Sequence, residues 1–145
     1  MIRSFENKDL DCIISIWLKA SILAHDFVEQ NYWIKKSEDM RKIYLPSSHT
    51  FVFFDQEKGV IGFISLVKNY IAALFVSPEW QGKGIGKQLM DFAKQRHPIL
   101  ELGVYSKNSD SIIFYKKQGF KVIEKRVDEH TGEEETVMVY SNNFN

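Results

Sequence analysis

The segment that most constrains the fold is Phe75–Met90, with the sequence FVSPEWQGKGIGKQLM. The apolar run that leads into it predicts a strand, and the pattern from Ile85 onward predicts a helix. Gly82, Gly84 and Gly86 lie between the two. A strand that turns straight into a helix presents unpaired helical N–H groups at the positive end of the helix dipole, and glycines let a large anion reach them. The segment predicts a phosphate-binding turn, with a turn that only redirects the chain as the alternative.

The other elements place this turn in an α/β protein. The apolar patterns predict the order strand, two helices, three strands, helix, strand, helix and two strands. The strand over residues 70–77 is apolar on both faces, which predicts a central position in the sheet. We therefore expect a mixed sheet with helices packed on its faces, in a single domain over residues 1–145.

Composition excludes several classes of function. Lys plus Arg equals Asp plus Glu at 19 each, so the chain has no net positive charge that would attract nucleic acid or an anionic membrane surface. The longest apolar run is too short to span a bilayer, and acidic residues interrupt the N-terminus where a signal peptide would lie. The single cysteine, Cys12, excludes an intrachain disulfide and favours a cytoplasmic location; its isoleucine neighbours predict a buried thiol. The four histidines have no metal-ligand spacing, and no metal is expected.

A second motif lies in the later helix, where Asn108, Ser111, Tyr115 and Gly119-Phe120 stand at fixed offsets. Together with the glycine turn, this motif resembles the GCN5-related N-acetyltransferases. Their acyl-CoA loop has the form Q/R-x-x-G-x-G/A, and their second motif has the form N-x-x-A-x-x-x-Y-x-x-x-G-F, with Ser111 here at the small-residue place. The segments 25–27 and 31–33 also resemble small bacterial N-acetyltransferases.

The resemblance implies a central, mostly antiparallel sheet in which two parallel strands splay apart, with helices on both sides. Acetyl-CoA is the implied co-substrate, bound in the gap between the strands that end at Ser77 and Tyr105. A backbone N–H of Phe75 or Val76 is expected to polarise the thioester carbonyl. The implied acetyl-CoA contacts are Leu74, Phe75, Val76, Gln81, Gly82, Lys83, Gly84, Ile85, Gly86, Lys87, Asn108 and Ser111.

The implied reaction is direct transfer of the acetyl group to a primary amine, either a protein lysine or N-terminus or a small molecule. Tyr115 is the implied general acid for the leaving thiolate; packing in the core is its alternative role. Asn108 is expected to bind the pantetheine arm, to cap its helix, or both.

The proton acceptor for the amine is the least defined part of this site. Many relatives place a glutamate at the position that Gly103 occupies here. Glu101 lies two residues earlier on the same strand face, and His25 is the second possible base. A helix-end residue with a satisfied hydrogen bond is the alternative role for His25.

Acceptor binding is expected from Phe27, Tyr32 and Trp33, which could equally belong to the core. A non-catalytic acyl-CoA-binding or interaction module is the rival function; Gly103 supports it and Tyr115 opposes it. Nucleotide binding by the glycine turn is weakened by the absence of a GK[ST] ending. Monomer and homodimer both remain open.

Overall fold

The computed structural model describes residues 1–143, and the last two residues of the predicted 1–145 domain lie outside this range. It contains seven strands and four α-helices, with short helical turns between them. In chain order these are β1 (Ile2–Ser4), α1 (Leu10–Ala24), α2 (Gln30–Asp39), β2 (His49–Asp55), β3 (Gly59–Val67), β4 (Tyr70–Val76), α3 (Ile85–Arg96), β5 (Ile99–Tyr105), α4 (Ser109–Lys117), β6 (Lys121–Val127) and β7 (Glu134–Ser141). The predicted order of elements is confirmed.

All seven strands form one sheet in the order β1-β2-β3-β4-β5-β7-β6. Every neighbouring pair is antiparallel except β4 and β5, which run parallel. The fourth place in the sheet belongs to β4, as its apolar character on both faces predicted. The mostly antiparallel mixed sheet with flanking helices is therefore confirmed.

The two parallel strands touch only near their starts. Tyr70 and Glu101 are the single register pair between them in residues 1–143, and the Glu101 N–H donates to the Asn69 carbonyl at 3.0 Å. Beyond this point β5 pairs along its whole length with β7, from Ile99 to Tyr105. The carboxyl-terminal halves of β4 and β5 therefore separate and leave a gap in the middle of the sheet, which is the splay that the resemblance implied.

Helices cover both faces of this sheet and make two hydrophobic cores. The core beneath α3 and α4 includes Leu89 and Met90 of α3 and Leu100 and Leu102 of β5. The core beneath α1 and α2 includes Trp17 and Trp33. Because side chains alternate along β5, its even-numbered residues lie in the α3 core, and its odd-numbered residues face α1 and α2.

Helix α1 has one buried face, formed by Ile13, Ile14, Ile16, Trp17 and Ala20. Cys12 lies just outside the edge of this face, in the first turn of the helix, and is exposed, so the prediction of a buried thiol is wrong. Its isoleucine neighbours are next to it in sequence, but a step of one residue turns the helix by about 100° and moves the side chain off the buried face. No helix within residues 1–143 is both long and apolar enough to cross a bilayer.

Candidate functional site

Two cavities meet at the gap between β4 and β5. The first, here called the glycine-loop cavity, has about 860 Å³ and lies between β4, the glycine turn, the end of α1 and the start of α4. The second, called the aromatic cavity, has about 500 Å³ and lies between α1, α2 and the opposite part of the sheet. Both are bordered by the same five residues, Leu74, Phe75, Asn108, Ser111 and Tyr115. A group held at these residues can be reached from either cavity.

The glycine turn has a backbone conformation that residues with a side chain rarely adopt. Gly82 and Gly84 have φ angles of +79° and +82°, and a Cβ on either would meet nothing within 4 Å. Glycine is therefore required here by backbone conformation, not by a lack of space. Gly84 caps α3, and the first hydrogen bond of this helix runs from the Gln88 N–H to the Gly84 carbonyl at 3.1 Å. The preceding amides, 84–87, border the cavity without intrahelical partners, so this helix end can bind an anion.

The predicted acetyl-CoA contacts line the glycine-loop cavity with one exception. Lys83 does not line it, and its ammonium lies 5.9 Å from the centre of the Trp80 ring. Lys87 lines the cavity and pairs with Asp91 at 2.8 Å. The Gln81 side chain donates to the Val76 carbonyl at 3.0 Å, which ties the glycine turn to the end of β4.

The hydrogen bonds of β4 show which of its amides face the gap. The Ser77 N–H donates to the Ile61 carbonyl on β3 at 2.8 Å. Peptide groups alternate direction along a strand, so the Phe75 amide also points to β3, and the amides of Leu74 and Val76 point into the gap. Of the two amides expected to polarise a thioester carbonyl, Val76 is the one so directed.

Tyr115 stands at the junction of the two cavities. Its ring contacts Phe114 and Phe120, with ring centres 5.4 and 5.8 Å away. Burial raises the pKa of Tyr115 to about 12, because the phenolate form loses its hydration. The hydroxyl therefore keeps its proton at neutral pH and can donate it.

Asn108 joins the start of α4 to the end of α1. Its Oδ1 accepts a hydrogen bond from the Ser111 N–H at 3.3 Å, which confirms the predicted helix cap. Its Nδ2 lies 3.3 Å from Nε2 of His25. Because Nδ2 can only donate, Nε2 of His25 accepts, and the proton of the neutral imidazole is on Nδ1.

His25 is buried, with 7% of its surface exposed. Burial lowers the pKa of His25 to about 4, because the charged imidazolium would lose its hydration. Its Nδ1, the Ser21 hydroxyl and the Trp33 indole nitrogen are buried polar atoms without a hydrogen-bond partner in the described part of the chain. All three residues line the aromatic cavity, so this wall can bind polar atoms of a ligand.

The remaining predicted residues divide between the cavity and its surroundings. Tyr32 and Trp33 line the aromatic cavity. Phe27 does not, but its ring contacts His25 and Tyr105, with ring centres 5.7 and 5.6 Å away. Glu101 lines neither cavity, because it lies at the closed end of the gap, opposite Tyr70.

The sequence patterns did not identify the polar rim of the aromatic cavity. Tyr70, Tyr105, Arg126, Asp128 and Glu135 belong to it and come from β4, β5, β6 and β7 or their connections. The Tyr105 hydroxyl donates to Asp128 at 2.6 Å. Burial by itself would raise the pKa of Asp128. The hydrogen bonds that Asp128 accepts from Tyr105, the His130 N–H and Thr131 outweigh this effect and hold its pKa below the ordinary value. These residues come together only through the pairing of strands, which no local spacing encodes.

Comparison with known proteins identifies similar chains. A family model described as an acetyltransferase (GNAT) domain matches residues 46–122. The peptidyl-lysine N-acetyltransferase YiaC of Escherichia coli strain K12 is 38% identical over 125 residues, covering 86% of this chain and 85% of YiaC. The spermidine N(1)-acetyltransferase of Thermoplasma acidophilum is 31% identical over 143 residues, covering 83% and 88%. The solution structure of the apo form of YjaB from Escherichia coli has a TM-score of 0.86 at 27% identity, covering 97% of this chain and 96% of YjaB.

Proposed function

We propose that this chain, which belongs to the acetyltransferase (GNAT) family and is an amine N-acetyltransferase, acetylates lysine side chains of proteins at the point where its two cavities meet. The observation that carries the proposal is that the glycine-loop cavity and the aromatic cavity are bordered by the same five residues, Tyr115 among them. A thioester in the gap would be exposed to the glycine-loop cavity on one side and to an amine in the aromatic cavity on the other. Tyr115 contacts both spaces and supplies a proton between them.

The glycine-loop cavity suits acetyl-CoA, which supplies the acetyl group as an activated thioester. The amides 84–87 at the start of α3 are proposed to bind its pyrophosphate. The gap-facing edge of β4 carries the Leu74 and Val76 amides, and β5 pairs with β4 only near Tyr70. This unpaired edge can bind the pantetheine arm as an added strand, with Asn108 as a further hydrogen-bond donor.

Two groups of the chain are proposed to assist transfer. The Val76 N–H stabilises negative charge on the carbonyl oxygen as the amine attacks. Tyr115 gives its proton to the sulfur as the C–S bond breaks. A free thiol has a pKa of about 8.5, well below that of Tyr115, but the burial that raises the pKa of Tyr115 also raises that of a thiolate beside it, which narrows the difference.

Charge in the aromatic cavity favours a singly charged acceptor such as lysine. Its ionic side chains are balanced: Asp128 and Glu135 oppose Lys36 and Arg126. A polyamine carries several positive charges and needs a clearly acidic site. A lysine side chain brings one charge on an apolar stem, which can pack between Tyr32 and Trp33. YiaC, with 38% identity, is named for peptidyl-lysine acetylation, which supports the same choice.

The cytoplasm is the proposed location. Cys12 is the only cysteine and is exposed on α1, where it cannot form an intrachain disulfide. An exposed free thiol persists best in a reducing compartment.

The test is release of free thiol from acetyl-CoA with three acceptors offered separately. These are a lysine peptide with a blocked N-terminus, a lysine-free peptide with a free N-terminus, and spermidine. We expect release above buffer with the lysine peptide and much less with spermidine. Preference for spermidine would overturn the lysine assignment, and acetyl-CoA binding without release for any acceptor would favour a non-catalytic binding module.

A further inference from the structure

The space beside Gly103 is filled by polar side chains from other strands. Gly103 lies in β5 on the face that borders the aromatic cavity. A Cβ placed on it would lie 2.9 Å from Nη2 of Arg126, 3.0 Å from Oε2 of Glu135 and 3.1 Å from the Tyr70 hydroxyl. A side chain at position 103 would need these groups to move. Glycine therefore lets a carboxylate from β7 occupy the space that a side chain on β5 would otherwise fill.

Strand pairing fixes the position of this carboxylate. Glu135 is paired with Tyr105 of β5 on one side and with Arg126 of β6 on the other. Nε of Arg126 lies 3.5 Å from Oε1 of Glu135, and its Nη2 donates to the Tyr70 hydroxyl at 3.3 Å. Arg126 therefore holds one oxygen of Glu135, and the other oxygen, Oε2, points to the space over Gly103.

Of the two carboxylates that line the aromatic cavity, Glu135 is the one with an oxygen available to a ligand. Both oxygens of Asp128 are occupied: Oδ2 accepts from the Tyr105 and Thr131 hydroxyls, and Oδ1 accepts from the His130 N–H. Oε2 of Glu135 accepts no hydrogen bond from the residues of the described range 1–143. A ligand in the cavity can therefore bind Glu135 without breaking an existing contact.

The other possible proton acceptors are poorly placed. Glu101 lines neither cavity, since it lies at the closed end of the gap. His25 is buried, and its Nε2 already accepts a hydrogen bond from Asn108. Its Nδ1 carries the proton of the neutral ring and cannot accept another.

We propose that Glu135 accepts the proton of the acceptor amine, a role that rests on the proposed acetyl transfer. The ammonium of the acceptor binds Oε2, and a proton passes from nitrogen to that oxygen. The free nitrogen pair then forms a C–N bond to the acetyl carbon, the C–S bond breaks, and Tyr115 protonates the sulfur. The second proton lost by nitrogen restores Tyr115, and Glu135 releases its own proton to water. Arg126 is a positioning residue that orients the carboxylate.

The test is Glu135→Gln, which keeps the size of the side chain but removes the basic oxygen. With a lysine peptide near neutral pH we expect kcat/KM to fall by about 100-fold or more. Glu134→Gln is the matched control, because Glu134 is the exposed neighbour on β7 and does not line the cavity. Unchanged acetyl-CoA affinity would show that the Glu135 variant is folded.

The way in which the rate defect of Glu135→Gln depends on the pKa of the acceptor amine distinguishes proton transfer by Glu135 from a purely structural role. A neutral amine needs no proton acceptor, so the defect of Glu135→Gln should shrink as pH rises toward the lysine pKa of about 10.4. It should also be smaller for a peptide α-amine, whose pKa is about 7.7–8.0. The double variant Gly103→Glu with Glu135→Ala, which returns a carboxylate to β5, should recover part of the lost rate.

Two results would overturn the role of Glu135. One is a Glu135→Gln enzyme within about twofold of the wild type, below the range that acid–base catalysis gives. The other is a defect of equal size at every pH and with both acceptors. An inactive wild-type protein would instead overturn the proposed function, so the two failures are distinguishable.

Discussion

Nδ2 of Asn108 lies 3.3 Å from Nε2 of His25, which connects the helix that begins beside the glycine-loop cavity to the wall of the aromatic cavity. Asn108→Ser separates the two functions of this side chain. Serine caps helices about as well as asparagine, so the free energy of unfolding should fall only by the loss of the hydrogen bond to the buried His25, about 1 kcal/mol. The donor to His25 and to a pantetheine arm is lost, so KM for acetyl-CoA should rise.

Asn108→Ala is the comparison, since it also removes the cap of α4. It should lower the free energy of unfolding by about 1 kcal/mol more than Asn108→Ser does. Urea titration of both variants, together with KM for acetyl-CoA, measures the two effects. If Asn108→Ser leaves KM unchanged, Asn108 serves only as a cap.

His25 should make the stability of the protein depend on pH. Its pKa in the folded state is about 4, below its ordinary value of 6.5, so the unfolded chain binds a proton first as pH falls. The contribution of neutral His25 to the free energy of unfolding is complete above pH 6.5 and is lost as pH falls toward 4. The free energy of unfolding should decrease by about 3 kcal/mol over this range. Urea denaturation across this range should show the loss, and His25→Gln should reduce it. His97→Gln serves as the control; an equal loss in all three proteins would exclude His25 as its cause.

Tyr115→Phe removes the proton donor but keeps the ring. We expect kcat to fall by about 100-fold or more, with little change in acetyl-CoA affinity, because the ring contacts with Phe114 and Phe120 remain. With a pKa of about 12, Tyr115 stays protonated through the usual assay range. Any loss of wild-type rate below pH 10 must then come from another group. A kcat equal to that of the wild type would remove Tyr115 from the mechanism.

Gly84→Ala tests the glycine turn, and the chain offers a matched control. Gly84 and Gly59 have φ angles of +82° and +79°, and a Cβ on either meets nothing within 4 Å. Alanine at either position should cost about 1 kcal/mol of stability through backbone strain. Only Gly84 borders the glycine-loop cavity, so only Gly84→Ala should also raise KM for acetyl-CoA. Equal KM values for the two variants would show that acetyl-CoA binds elsewhere.

Sequence patterns were sufficient to predict most of the framework. Apolar periodicity located the helices and strands, and the left-handed glycine at 119 ends α4 as the motif indicated, with a φ of +94°. The Cys12 prediction failed because sequence neighbours were taken for neighbours in space.

The sequence predicted only those parts of the site whose residues lie close together along the chain. The glycine turn and α4 each lie within a short segment, so the spacing of their residues was enough to show the family resemblance that implied their roles. Glu135 depends instead on the pairing of β7 with β5 and β6, which brings together residues 103, 126 and 135. Glu101 shares the strand face of Gly103, but a shift of two residues toward the start of β5 places it at the closed end of the gap.

The most direct test of the account is a count of acetyl groups transferred and thiol released in the same reaction. Purified protein, acetyl-CoA and a lysine peptide with a blocked N-terminus would be followed by thiol titration and by mass spectrometry of the peptide. Transfer at the junction of the two cavities predicts one acetylated lysine for each thiol released, with both signals strongly reduced in Tyr115→Phe. Thiol release without an acetylated peptide, or peptide acetylation unaffected by Tyr115→Phe, would contradict it.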